Sequence, residues 1–285
     1  MARQTRFLTF ALGAALVIGQ WCCPGLLLCA TPNFANVEEL DLHCLRTSYP
    51  AIADVRTAAD GSRWLVLAGE SGERQVLYAP AQAAGGMPDY HVSDVRTSMQ
   101  LPYPLEPERP DLPPRVSPGR WRSMELLAAL YGNTAAEVRQ RLVVVNFLGR
   151  RVALAPEAAK ALAAVADELA PLAAQDAGLR ALLVSGGGFT WRRVAGEDYL
   201  SPHAFGIAID ISPGRATYWR WSPLRPHPLQ KTYPATIVEA FERQGFVWGG
   251  KWHEYDLMHF EYRPEIICKA RLSAADLSAK GMCTP

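Results

Sequence analysis

The sequence predicts an α+β fold: a small, mainly antiparallel sheet flanked by helices, with a β-rich region toward the N-terminus. Three observations carry this. Helix-period and strand-period segments are interspersed, without the regular βαβ order of a parallel sheet. No internal repeat is visible. The 285 residues are 49% hydrophobic and 20% charged, enough to fill a sizeable core and too apolar for a disordered chain.

The elements follow in chain order. MARQTR precedes an uncharged apolar run, Phe7 to Ile18, the layout of a secretory signal. Residues 1–30 are therefore a signal peptide cleaved after Ala30, or an anchor from Phe7 to Cys29 just long enough to span a bilayer. Lipoprotein processing fits less well, because Trp21 and Leu28 stand where a small residue must precede the cysteine. Every one of these readings exports the chain, to a periplasm or cell envelope. Residues 31–97 lack long helical periodicity. Within them, Trp64-Leu-Val-Leu-Ala and Gln75-Val-Leu-Tyr-Ala flank a Gly-bearing polar turn and predict a hairpin. Residues 98–118 form a connector, with seven prolines between Pro102 and Pro118. A free linker and a surface strap both fit it.

Residues 119–285 form the last region. Trp121 to Leu130 reads as a helix stopped by Gly132, and Thr134-Ala-Ala-Glu137 is a capping box that starts another. Val143-Val-Val-Asn-Phe and Arg151-Val-Ala-Leu predict a second hairpin. Ala155 to Ala170 reads as a helix, with Pro156 in its first turn. Ala181-Leu-Leu-Val-Ser predicts a short buried strand. Pro234 to Gln244 is a helix bounded by Pro and Gly245.

Net charge is +1, falling to −1 if Arg3 and Arg6 leave with a signal peptide. That balance argues against a nucleic-acid partner and against a polybasic membrane surface. The six cysteines lie at 22, 23, 29, 44, 268 and 283, with no C-x-x-C pair, so no cysteine-based metal or redox site is expected. Cys44, Cys268 and Cys283 reach an oxidising compartment. An odd number permits one internal bridge, and Cys268 is expected to pair with Cys283 or Cys44.

The chemistry concentrates in two stretches. In Ser201-Pro-His203-Ala-Phe-Gly206-Ile-Ala208-Ile-Asp210-Ile, a strand from Gly206 to Ile211 points Ile207, Ile209 and Ile211 into a core. Asp210 then shares the opposite face with Gly206 and Ala208, which should leave open space before it. In Asp256-Leu-Met-His259-Phe-Glu261, His259 and Glu261 share one strand face. His203, Asp210 and His259 make a two-imidazole, one-carboxylate set that suits one Zn²⁺ with a position left for water. Buried unpaired, Asp210 needs a cation, either a metal or an arginine. Glu261 either orients a ligand or is a strand-surface charge. His43, His91 and His227 read as packed or surface residues, and His253 as a rim residue.

These residues resemble the D-alanyl-D-alanine carboxypeptidase and L-alanyl-D-glutamate peptidase family of bacterial zinc peptidases. The pattern S-x-H-x-x-G-x-A-x-D, then acid-x-x-His, is matched by Ser201, His203, Gly206, Ala208, Asp210, Asp256 and His259. Phe189 to Gly196, Gly245 to Trp252 and His259 to Glu265 look like its flanking blocks. Pro102-Tyr-Pro104 and Ser117-Pro-Gly-Arg120 resemble it more loosely. The resemblance implies zinc held by His203, Asp210 and His259. It implies Asp256 as general base toward a zinc-activated water, with Glu254 second because the acid-x-x-His spacing selects Asp256, and Arg192 as a cation for the oxyanion or a substrate carboxylate. It implies hydrolysis of peptidoglycan stem peptides, by D-alanyl-D-alanine carboxypeptidase-like action or at the L-alanyl-D-glutamate bond. A silent wall-peptide-binding module and an exported amidohydrolase on other peptides are the remaining readings. Membrane contact is expected only if residues 1–30 are retained.

Overall fold

The computed structural model describes residues 34–69, 72–82, 90–92, 94–212, 214 and 216–281. The expected signal or anchor and Cys283 lie outside them. Asn36 starts helix α1 (Val37–Ser48) by accepting from the Glu39 N–H at 3.0 Å, and Glu38 and Glu39 suit the positive end of its dipole. The sequence reading missed this helix. It buries only Asp41, Cys44 and Leu45, too thin a stripe to register as periodicity. Three antiparallel strands follow: β1 (Ile52–Thr57), β2 (Arg63–Gly69) and β3 (Gly72–Ala79). The predicted hairpin is β2–β3, paired out to Gly69 opposite Gly72. Leu45, Leu65, Val76 and Tyr78 share a core with Ile266 and Ile267 of the last helix and with Val247 and Trp252. The N-terminal sheet therefore packs directly on the segment that carries the chemistry.

Strands β4 (His91–Val92) and β5 (Arg122–Ser123) pair in parallel, and the one-turn helix α2 (Val95–Ser98) follows β4. Between α2 and β5 the proline-rich stretch is a strap, fastened along its length. The Tyr103 hydroxyl donates to Glu242 Oε1 at 2.7 Å and accepts from the Trp248 N–H at 2.9 Å. The buried Lys251 ammonium donates to Pro104 O and to Glu242 Oε1, each at 2.7 Å, and pairs with Glu106 at 3.2 Å. Trp252 Nε1 donates to Pro118 O at 2.7 Å. A proline has no N–H to donate, so lysine, tyrosine and tryptophan side chains do the fastening.

Ser123 caps α3 (Met124–Tyr131), which ends at Gly132, and Thr134 caps α4 (Ala135–Arg141), as its capping box predicts. Strands β6 (Val143–Phe147) and β7 (Arg150–Leu154) form the second predicted hairpin. Helix α5 (Pro156–Gln175) runs past its predicted end at Ala170. Pro171 removes one backbone donor, but Leu169 and Ala173 on either side of it are buried and carry the last turn. Ala181 and Leu182 are not strand. They close helix α6 (Ala177–Leu182), which Asp176 starts by accepting from the Gly178 and Leu179 amides. The strand, β8, is Ser185–Gly187.

Strand β9 is Ala208–Ile211, helices α7 (Leu229–Thr232) and α8 (Ala235–Arg243) follow, and then come β10 (Phe246–Trp248) and β11 (His259–Tyr262). Together β8 to β11 form a four-stranded antiparallel sheet in the order β10-β11-β9-β8. Its inner face, with Ile209, Ile211 and Phe260, packs on Leu162, Val165 and Phe241 of α5 and α8. Each such fully buried side chain contributes about 1.5–3 kcal/mol. The chain is thus α+β, built from small sheets, as predicted. The final helix, α9 (Pro264–Gly281), packs against α1, and Cys44 is disulfide-bonded to Cys268 across the pair.

Candidate metal centre

The site begins at Ser201, whose hydroxyl accepts from the His203 N–H at 3.4 Å and starts a 3₁₀ turn, Pro202–Phe205. Gly206 ends that turn at φ +68, and a Cβ there would lie 2.7 Å from Leu142 Cδ2. This corrects the expectation of open space along that face. Gly206 is pressed against the β6–β7 hairpin and Ala208 is fully buried, so neither opens a cavity. Space before Asp210 comes instead from a cleft walled by Arg120, Arg192, Tyr218, Trp221 and Met258.

Register sets the rest. Asp210 on β9 is directly opposite His259 on β11. His203 Nε2 lies 3.1 Å and His259 Nδ1 3.3 Å from the same oxygen, Asp210 Oδ1. The three residues can offer ligand atoms within 4.8 Å of one another, the cluster of this kind found among the described residues. The outer ring nitrogens fix the tautomers. His203 Nδ1 faces Gly188 O at 2.7 Å, and a carbonyl only accepts, so Nδ1 carries the proton. His259 Nε2 faces the Glu261 carboxylate at 3.3 Å and is likewise the protonated nitrogen. Two lone pairs and a carboxylate oxygen are left facing one another, an arrangement that calls for a cation between them. Imidazoles oriented by a carbonyl and a carboxylate are the usual support of a zinc site, so the donor set fits the metal that the sequence suggested. In the metal-free protein a proton on His259 takes the place of that cation. Burial pulls His259 down, yet hydrogen bonds to Asp210 and Glu261 outweigh it and hold the ring at about 9. Burial likewise opposes the Asp210 charge, but His203 and His259 hold that carboxyl well below the usual range.

Glu261 is fully buried and not a strand-surface charge. Arg122 grips it with Nε at 2.8 Å from Oε1 and Nη2 at 2.5 Å from Oε2, and Arg263 stands 3.7 Å away. Arg263 Nε in turn donates to Glu265 Oε1 at 2.5 Å, and the Tyr49 hydroxyl donates to Glu265 Oε2 at 2.6 Å. A buried polar chain therefore runs from the end of α1 to His259.

Asp256 sits in the turn before β11, its N–H bonded to Gly249 O at 3.0 Å. A Cβ on Gly249 would come within 2.5 Å of Asp256 O, which explains the glycine in Trp-Gly-Gly-Lys-Trp. Asp256 lines the same cleft as Asp210 and His259, and its buried Oδ1 has no protein partner. Burial pushes the carboxyl up to about 6, with Asp210 adding to that and His259, Arg120 and His203 opposing. Glu254 is engaged elsewhere: it accepts from the Arg115 N–H at 3.0 Å, the Ser117 hydroxyl at 2.9 Å and the Tyr90 hydroxyl. Arg192 is exposed on the cleft wall. His253 Nδ1 is bonded to Leu112 O at 2.7 Å, and His43, His91 and His227 pack against aromatic rings.

Sequence reasoning placed Arg120 only within a loosely resembling block and did not single out Arg122, Tyr218 or Trp221. The alternation Arg120-Trp121-Arg122, which puts both cations on one side, was the available signal. Arg120 is clamped between Tyr90, 4.2 Å from its ring centre, and Trp252 at 5.5 Å, and donates to Glu254 O at 2.5 Å.

The geometry defines a class, an α+β protein with a cleft built around a metal-competent His-Asp-His cluster and a buried carboxylate. Residues 195–262, which include His203, Asp210, Asp256, His259 and Glu261 but not Arg120, Arg122 or Arg192, match the family described as D-alanyl-D-alanine carboxypeptidase, so the resemblance seen in the motif holds across that segment. No curated protein and no solved structure matches the chain. No helix among the described residues is long and apolar enough to cross a membrane.

Proposed function

We propose that the chain is an exported zinc metallopeptidase that hydrolyses peptidoglycan stem peptides in the manner of a D-alanyl-D-alanine carboxypeptidase. The observation that carries this is the convergence of two oriented imidazole lone pairs on Asp210, within the family-matched segment and one turn from an unpartnered buried carboxylate. His203, Asp210 and His259 are the ligands. Bound there, zinc supplies Lewis acidity toward a water and a scissile carbonyl. Asp256 Oδ1 takes the proton of the attacking water as its oxygen bonds to the carbonyl carbon. When the C–N bond breaks, the same oxygen returns the proton to the amine. Arg192 and Arg120, on the cleft wall, offer positive charge to the developing oxyanion or to a substrate carboxylate. A cleft rich in arginine suits stem peptides, which carry free carboxylates. The Cys44–Cys268 bridge supports export, since such bonds persist in oxidising compartments.

Purified protein is to be assayed for bound metal and incubated with defined muropeptides under mass spectrometry. Loss of one terminal D-alanine is the expected product. His203→Ala and Asp256→Ala should each abolish it, and activity retained in both overturns the mechanism.

A further inference from the structure

The functional reading gives Tyr218 no role, yet this residue stands beside the proposed base. It is 7% exposed, and its buried hydroxyl has no hydrogen-bond partner among the described residues. Of the residues that carry such orphaned atoms, Tyr218 and Asp256 are the two that line the cleft. A buried hydroxyl left unpaired weakens a fold, so its retention points to a ligand that completes it.

One rung of ladder places both groups. Tyr218 and Asp256 form an antiparallel β-bridge. On its two sides the Trp219 N–H donates to Tyr255 O at 2.9 Å and the Leu257 N–H donates to Thr217 O at 3.0 Å. Bonds carried by the neighbours make this a non-hydrogen-bonded pair, the kind whose Cα atoms lie about 4.5 Å apart and whose side chains stand close on one face. The ring is braced by T-shaped contacts with Trp219 at 6.0 Å and Trp221 at 5.5 Å. A phenol is longer than a carboxylate side chain, so the hydroxyl projects past Asp256. Neither orphan bonds to the other. The cleft thus holds an acceptor and a donor side by side, and Arg120 on the same wall is close enough for its charge to act on Asp256.

We propose that Tyr218 is a substrate-binding residue whose hydroxyl donates to the α-carboxylate of the leaving residue while Asp256 receives that residue's amine. This rests on the functional reading above, in which Asp256 Oδ1 returns a proton to the leaving amine. The amine must therefore come to Asp256. In an amino acid the carboxylate carbon lies one Cα away, about 2.5 Å from the amine nitrogen. With a hydrogen bond of about 2.8 Å at each end, one amino acid joins groups up to roughly 8 Å apart, which a pair rooted about 4.5 Å apart on one face satisfies. Polarity matches as well: a carboxylate only accepts, and the phenol can donate. The pair selects bonds whose leaving residue has a free α-carboxylate.

The test uses the full chain and an acetylated peptide ending in D-alanyl-D-alanine, beside the same peptide as its C-terminal amide. Wild type should cleave the acid with at least tenfold higher kcat/KM than the amide. Tyr218→Phe should lose about tenfold on the acid, through KM, and little on the amide. An unchanged acid-to-amide ratio overturns the proposal. So does a loss confined to kcat and equal on both peptides, which places the hydroxyl at the reacting carbonyl instead. Titration of the chelated, metal-free chain with both peptides reads binding without turnover. Wild type should prefer the acid, and the preference should shrink in Tyr218→Phe; no preference in wild type, or an equal one in both proteins, overturns the proposal. The urea midpoint of Tyr218→Phe should not fall, because the hydroxyl bonds to nothing in the free protein. A lower midpoint shows a bond within the fold and removes the premise. Failure of wild type to cleave either peptide refutes the peptidase reading by itself, while the titration still decides the role of Tyr218.

Discussion

Replacing Arg122 with methionine should cost the fold about 3–5 kcal/mol. The reasoning starts from Glu261, which is 0% exposed and has Arg122 as its closest cationic partner. The two shortest Arg122 bonds to it are 2.8 and 2.5 Å, whereas Arg263 approaches only to 3.7 Å and is already committed to Glu265. At an effective dielectric of about 20, opposite charges roughly 4 Å apart attract by about 4 kcal/mol. Methionine fills the arginine stem's volume but leaves one buried carboxylate without its main cation, the situation in which broken buried pairs cost most. Equilibrium urea denaturation of wild type and Arg122→Met, both metal-free, measures the difference. The double variant Arg122→Met/Glu261→Leu should recover at least half of it, because no orphan charge then remains. A single-variant loss below about 1 kcal/mol, or a double variant no better than the single, refutes the argument that Glu261 depends on Arg122.

Three further outcomes are expected. Cys44 and Cys268 are 224 residues apart, so the chain-entropy model gives a stabilisation of about 5 kcal/mol, and Cys44→Ser/Cys268→Ser should lower the urea midpoint accordingly. A denatured thiol count on the chain from Thr31 should find one thiol rather than three. Tyr103→Phe removes a bond to Glu242 and leaves the Trp248 N–H without its acceptor, for a loss of about 1–3 kcal/mol in the same denaturation experiment.

The elements that were legible in the sequence are those whose signal is local. The Thr134 capping box, the glycine stop after α3 and the β6–β7 hairpin signal each lie within a few residues, and each appears as read. Helix α1 was not legible, because its apolar stripe is narrow and its stability comes from α9, over two hundred residues away. The Ala181 run failed for the opposite reason: an upstream Asp176 cap turned an apolar strand-like segment into a helix. At the site, residue types and the family pattern pointed to His203, Asp210 and His259 together, and the register of two strands is what puts Asp210 opposite His259. The two arginines near Asp256 and Glu261 were hidden, because the strap that delivers them has no periodicity to read. The space around Asp210 was misassigned for a related reason, as a missing side chain on one strand says nothing about what packs against it.

The bridge between the first and last helices has a bearing on the order of events in biosynthesis. Every residue of the proposed site, from Arg120 to His259, lies within the loop of chain that the bridge closes. The ring cannot be sealed until Cys268 has been made and delivered, almost the whole chain after Cys44. The N-terminal helix must therefore wait for its partner while the intervening sheet assembles. Once sealed, a single backbone cut anywhere inside the ring leaves one covalent molecule, so a protease must cut more than once to separate the halves of the cleft.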